Sequence, residues 1–85
     1  MNSILSPRVK KVSAENNFCL ILSFENGEEK IFDVKPFLDF EVYRALKDET
    51  FFRLARPSFG TVSWNDEIDF DPDRLYLDSV PRKDS

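Results

Sequence analysis

The chain contains no histidine. That removes the side chain that most often serves as a general base at neutral pH, and with it the commonest nitrogen ligand of zinc and related metals. It has a single cysteine, Cys19, so no disulfide framework can form within the chain. Cys19 lies inside the apolar run NFCLILSF, residues 17–24, where a thiol reads as a small buried hydrophobe rather than a redox group. With no imidazole to activate Cys19 or any serine, nucleophilic catalysis has no apparatus. Glycine is scarce at two residues and proline numbers five, so each turn signal is informative. No apolar stretch approaches the roughly 20 residues that span a bilayer. The N-terminus MNSILSPRVKK offers only the Ile4-Leu5 pair where a secretory signal needs an apolar run of about 7–15 residues. The expectation is a cytoplasmic protein that holds no cofactor or metal, enters no membrane and is not an enzyme.

Positive charge is also in short supply. Twelve Lys and Arg face sixteen Asp and Glu, a net charge of −4, so the whole chain is not expected to be drawn to nucleic-acid phosphates. The one concentrated basic run, PRVKK, places Arg8, Lys10 and Lys11 on a first strand. Such a run is ordinarily a solvated strand face, and a nucleic-acid contact through it would need a second copy or a partner to multiply its charge.

Aromatic rings are abundant: nine Phe, two Tyr and one Trp in 85 residues. A chain of this length buries only about 60–65 % of its unfolded surface. Rings that each bury about 150–250 Å² make a single core feasible without disulfides or metal. Hydrophobic residues at 41 % and charged residues at 33 % are a globular balance. There is no internal repeat, low-complexity tract or linker, which predicts one domain over residues 1–78 with a flexible tail over 79–85.

The pattern along the chain predicts an α+β fold. An antiparallel sheet is built from an N-terminal meander, with strands near residues 8–13, 17–24 and 28–34, and a C-terminal hairpin near 59–64 and 67–70; short helices fall near 36–40, 49–55 and 72–77. In the first strand Val9 and Val12 have opposite parity, so it is expected at an edge or bulged. In the second, Phe18, Leu20, Leu22 and Phe24 alternate onto one face, with Cys19, Ile21 and Ser23 on the other.

Asn26-Gly27 marks the first hairpin, and its register can be argued. A two-residue loop would set Leu20 opposite Asp33 and Phe24 opposite Glu29 on the apolar face. A three-residue loop, Glu25-Asn26-Gly27 with Gly27 left-handed, sets Leu20 opposite Phe32 and Phe18 opposite Val34. The second is preferred, because a one-residue slip turns every side chain to the wrong face. It leaves Ile21 opposite Ile31 on the reverse side, a small second apolar patch in need of a cover.

VYRALKD, residues 42–48, offers Val42, Tyr43 and Leu46 at near-helical spacing. Asp48 is placed to cap ETFFRLA, whose Phe51, Phe52 and Leu54 are expected to face the sheet, and Pro57 stops that helix. If the last hairpin turns at Asn65-Asp66-Glu67, then Val62, Trp64, Ile68 and Phe70 share one face.

The acidic stretch TVSWNDEIDFDPDRLYL, residues 61–77, invites a functional reading. From Asp69 onward, carboxylates occupy the first, third and fifth places of a calcium loop, but Arg74 stands where that loop needs glycine and Val80 where it needs a bidentate glutamate. A catalytic carboxylate pair requires one acid in surroundings that raise its pKa. Alternation instead turns Asp69 and Asp71 toward water. Ordinary chemistry suffices: Asp71 caps a helix, Pro72 takes its first position and Asp73 favours the dipole of its first turn.

PRVKKV, LILSFENGEEKIFDVKPFL, ALKDETFFRL and GTVSWNDEIDFDPDRLYL resemble, in sequence and order, a small bacterial family, the domain of unknown function 2442, over residues 7–78. The resemblance implies a compact α+β domain, in some relatives followed by a helix-turn-helix DNA-binding part, and often encoded beside a second small protein in a toxin–antitoxin-type pair. This chain ends about seven residues after the resembling segment, so no DNA-binding part is expected. Glu67 stands where relatives are expected to carry glycine, which predicts a rearranged turn. The family's motif carries no catalytic residues to transfer.

The leading expectation is therefore a non-catalytic protein-binding or regulatory module, antitoxin-like by resemblance, with a homodimer compatible with it; Ile21 and Ile31 are either its interface or a patch that the chain's own helices cover as core. The alternatives are a transcription-regulator-related module that binds nucleic acid through Arg8, Lys10 and Lys11 only as a dimer or with a partner, and a metal-dependent or hydrolytic enzyme built on Asp69, Asp71 and Asp73.

Overall fold

The computed structural model describes residues 6–65 and 67–82. The chain runs β1 (Val9–Glu15), β2 (Cys19–Phe24), β3 (Glu29–Asp33), α1 (Glu49–Phe52), β4 (Arg56–Ser58), β5 (Thr61–Ser63), α2 (Pro72–Asp78) and β6 (Val80–Pro81). Three 3-10 turns, at Asn16–Phe18, Lys35–Phe37 and Glu41–Lys47, join these elements. The fold is α+β, with one antiparallel sheet ordered β1-β2-β3-β6 and a second made of β4 and β5.

The first hairpin adopts the register that buries the phenylalanines. Leu20 stands opposite Phe32 and Ile21 opposite Ile31. The Phe24 amide donates to the Glu28 carbonyl at 2.9 Å, closing a three-residue loop whose Gly27 has φ +94°. Asn26 fixes that loop by accepting the Glu28 amide at 3.0 Å. Leu20, Leu22, Phe24 and Phe32 are buried on one face, while Cys19, Ile21, Ser23 and Ile31 are only half-buried on the other. The parity conflict in β1 is resolved by a bulge between Val9 and Lys11, which lets Val9 and Val12 both turn inward on this edge strand.

The helical segments are shorter than the pattern predicts. The segment expected as a helix over 36–40 is a 3-10 turn, Lys35–Phe37, with Pro36 in its first turn. Asp48 caps α1, accepting the Thr50 amide at 3.0 Å, but α1 is one turn and Leu54 is 56 % exposed rather than against the sheet. Pro57 disfavours helical dihedrals at Arg56, so the chain leaves the helix before Leu54 can turn inward. Residues 41–47 wind as a 3-10 helix, whose three-residue period aligns Tyr43 with buried Leu46 and leaves Val42 outside.

The second hairpin begins earlier than expected. Pro57 is paired with Val62 in β4, an edge strand where its missing N–H is tolerated, and Phe59-Gly60 forms the two-residue turn into β5. The return strand expected near 67–70 lies on the other side of β5, with the Trp64 amide donating to Ile68 at 2.9 Å and a bridge joining Ser63 and Asp69. Val62, Trp64, Ile68 and Phe70 are buried together as predicted. The rearrangement expected at Glu67 adjoins Asp66, which lies outside the described residues; beside it, Asn65 Oδ1 accepts the amides of Glu67 at 2.8 Å and Ile68 at 2.9 Å.

Both sheets and the helices share one aromatic core. Phe32 packs edge-on against Phe70 at 5.1 Å, Phe70 against Trp64 at 5.8 Å, and Trp64 Nε1 donates to the Phe52 carbonyl at 2.8 Å. Asp71 caps α2 by accepting the Arg74 amide at 3.2 Å, and Leu75 is fully buried. From residue 79, where a tail is expected, Val80–Pro81 pair with Ile31 and Lys30 of β3; residues 83–85 lie outside the described residues.

Candidate interaction surface

Leu46, Phe52 and Leu75, which anchor the helical segments, belong to the buried cluster with Leu20, Leu22 and Phe24, so the helices cover one face of the four-stranded sheet. Pleating sends the alternate residues to the reverse face, where register arranges them in rows across the strands. The central row is Ser13, Ile21, Ile31 and Val80. Lys11, Ser23 and Glu29 lie on one side of it, with Arg82 beside Glu29 through an amide-to-carbonyl bond of 2.9 Å. Glu15, Cys19 and Asp33 lie on the other.

Sequence alternation pairs Ile21 with Ile31, and the structure extends that pair by Val80, which is 58 % exposed. Neither isoleucine belongs to the buried cluster. Val80 escapes sequence reasoning because a two-residue strand ending in proline has no period to detect. The polar surroundings are partly self-satisfied. Arg82 pairs with Glu29 at 3.2 Å and Lys35 with Asp33 at 3.0 Å, and the latter hydrogen bond, ahead of the opposing effect of burial, raises the Lys35 ammonium above its ordinary value. The Lys35 ammonium also donates to the Asn17 carbonyl at 2.9 Å and lies 3.9 Å from the Cys19 sulfur. Lys11 and Glu15 take part in no ion pair among the described residues.

The basic run is divided between two places. Arg8 precedes β1, its Nε lies 4.0 Å from Glu25, and its side chain covers Gly60, where an added Cβ would meet it at 3.1 Å. Lys11 belongs to the open sheet face, and exposed Lys10 falls at the bulge. The acidic residues are likewise dispersed in role. Asp69 is exposed, Asp71 caps α2 and Asp73 accepts the Ser6 hydroxyl at 2.8 Å. Among the described residues, no three His, Cys, Asp or Glu side chains converge as a metal site.

Two other surface features lie outside the sequence-based set. Phe59, at the β4–β5 turn, is 93 % exposed with φ 51°. A shelf of Phe37, Phe40 and Tyr43 carries Arg74, whose guanidinium stands 5.9 Å from the Phe37 ring centre. Burial, and next the nearby Asp69 charge, pushes the Tyr43 phenol up.

Residues 9–80 match the family described as "Protein of unknown function (DUF2442)". No curated protein and no solved structure matches the chain. Among the described residues, no helix is long and apolar enough to cross a membrane.

Proposed function

The chain belongs to the DUF2442 family, and from that premise we propose that it is a small non-catalytic protein-binding module whose contact surface is the open face of the four-stranded sheet. The observation that carries this reading is the Ile21–Ile31–Val80 row, an apolar strip on the face away from the helices. An apolar centre inside a charged and hydroxylated rim is the usual anatomy of a recognition surface. The absence of histidine and the capping role of Asp71 support a role without catalysis. In its specific form the reading is regulatory, the antitoxin-like half of a two-protein system, acting by covering a partner. The division of Arg8 from Lys11, and the net charge of −4, favour a protein over a nucleic acid as that partner.

Ile21→Lys tests it. The variant is expected to retain its circular dichroism spectrum and cooperative unfolding while losing a partner that the unaltered chain captures from its native host. Loss of folding would make the patch part of the core, and unchanged capture would move the contact surface elsewhere.

A further inference from the structure

The open face contains a charge pattern that complements itself. Lys11 and Glu15 lie two residues to either side of Ser13 on β1, so about 13 Å of strand separates them and neither reaches the other. Both stand at the sheet edge, in the outer rows, and both lack an ion-pair partner among the described residues, whereas Glu29 and Asp33 in the same rows have Arg82 and Lys35. We infer that a second copy of the chain docks on this face, related by a two-fold axis that runs along the Ser13–Ile21–Ile31–Val80 row. The inference rests on the reading of this face as a contact surface and names its occupant.

Rotation about that row exchanges the two outer rows. Lys11 of each copy then faces Glu15 of the other, twice over, and the apolar strips lie on one another. Glu29 falls over the second copy's Asp33, but each carboxylate is already paired with its own cation, which offsets the repulsion. A second two-fold that would stack these faces runs along the strands. It would exchange β1 with β6 and set Lys11 over Arg82, a cation already paired with Glu29, so neither Lys11 nor Glu15 would gain an opposite charge. Charge therefore selects the first axis. The tilt of roughly 30° between stacked sheets is within the reach of lysine and glutamate side chains.

Four strands about 4.8 Å apart and rows about 6.8 Å apart give a face of roughly 300–400 Å² per copy. That is about half the area of a standard stable interface, so the association is weak and reversible.

Sedimentation of the full chain at low ionic strength, at rising concentration, tests this. The mass is expected to climb from 10.0 kDa toward its double. Lys11→Glu and Glu15→Lys are each expected to weaken association roughly tenfold, and the double reversal to restore it to within a few-fold, because exposed ion pairs add little singly but reversal turns two attractions into two repulsions. Ile21→Lys is expected to abolish it. A chain that stays monomeric at every concentration, a double reversal that fails to rescue, or an Ile21→Lys variant that remains dimeric through an edge of the sheet would each overturn the inference. If Ile21→Lys fails to fold, the exposed charge reversals decide alone. A monomeric chain whose host partner is still lost on Ile21→Lys would sink the second copy as occupant and leave the protein-binding reading standing.

Discussion

Phe59 combines two unfavourable conditions, a φ of 51° and 93 % exposure. With Gly60 at φ 83°, it forms a two-residue turn in which both residues are left-handed, a geometry that favours Asn-Gly. A bulky residue there bears strain, and in this chain its ring gains no burial in return. Phe18 is also left-handed, at φ 57°, but its ring packs on Phe52 at 5.2 Å and recovers part of the strain. Phe59→Asn is therefore expected to stabilise the fold by about 0.5–1 kcal/mol, seen as a higher urea midpoint at unchanged slope. A second residue-scale device is the Tyr76 hydroxyl, which donates to Glu28 Oε1 at 2.6 Å. This bond, and next the Asn26 side chain, holds the Glu28 carboxyl below its ordinary 4.5, while the same bond holds the Tyr76 phenol above its ordinary 10.0. Glu28 thus contributes stability above pH 4.5 that is lost as pH falls through its lowered folded value. Tyr76 contributes stability below pH 10.0 that is lost as pH rises through its raised one. Tyr76→Phe is expected to move the Glu28 titration, followed by carboxyl-carbon NMR, upward toward 4.5.

Elements were legible in the sequence where periodicity ran long enough to outvote local noise. The first hairpin is the clearest case: only one register puts Leu20 on Phe32, and Asn26-Gly27 supplies the turn for it. Ile21 and Ile31 follow from that register, so two of the three residues of the apolar strip are legible in the sequence. The short elements were not legible. Pro57 reads as a helix stop and is one, yet it also begins a three-residue edge strand whose turn, Phe59-Gly60, lacks the usual Asn-Gly signal. Val80–Pro81 joins the first sheet through two residues, too few for any pattern. Whether a helix covers the reverse face is decided by tertiary packing, beyond the reach of alternation. The acidic stretch was legible as caps and turns, and its energetics distinguish the two kinds of aspartate. Asp71→Ala removes the acceptor for the Arg74 amide at the start of α2 and is expected to cost about 1 kcal/mol. Asp69→Ala removes an exposed carboxylate and is expected to change stability by less than about 0.5 kcal/mol. Denaturant unfolding of the two variants side by side measures the difference, and equal losses would mean that Asp69 has a structural duty as well.

The whole molecule divides by strand pairing into two sheets, but the Val9 amide donates to the Gly60 carbonyl at 3.0 Å across that division and the aromatic contacts run across it as well. Trp64, the only tryptophan, extends the β4–β5 hairpin, donates its indole N–H to Phe52 at the end of α1, and packs near Phe70. Phe70 in turn meets Phe32 of β3 at 5.1 Å and Tyr43 of the 3-10 helix at 4.5 Å. Neither sheet could keep its apolar face buried if the other left, because β4 and β5 alone are a two-stranded ribbon, marginal in water. The molecule is therefore expected to unfold as one cooperative unit. Trp64 fluorescence reports the second sheet and its junction with α1, while far-ultraviolet circular dichroism is dominated by the larger sheet and the helices. In urea the two signals are expected to share one midpoint and one slope, as two-state unfolding requires. A fluorescence transition that precedes the dichroism transition would show the second hairpin leaving first, and would mean that the Phe32–Phe70 contact does not couple the sheets.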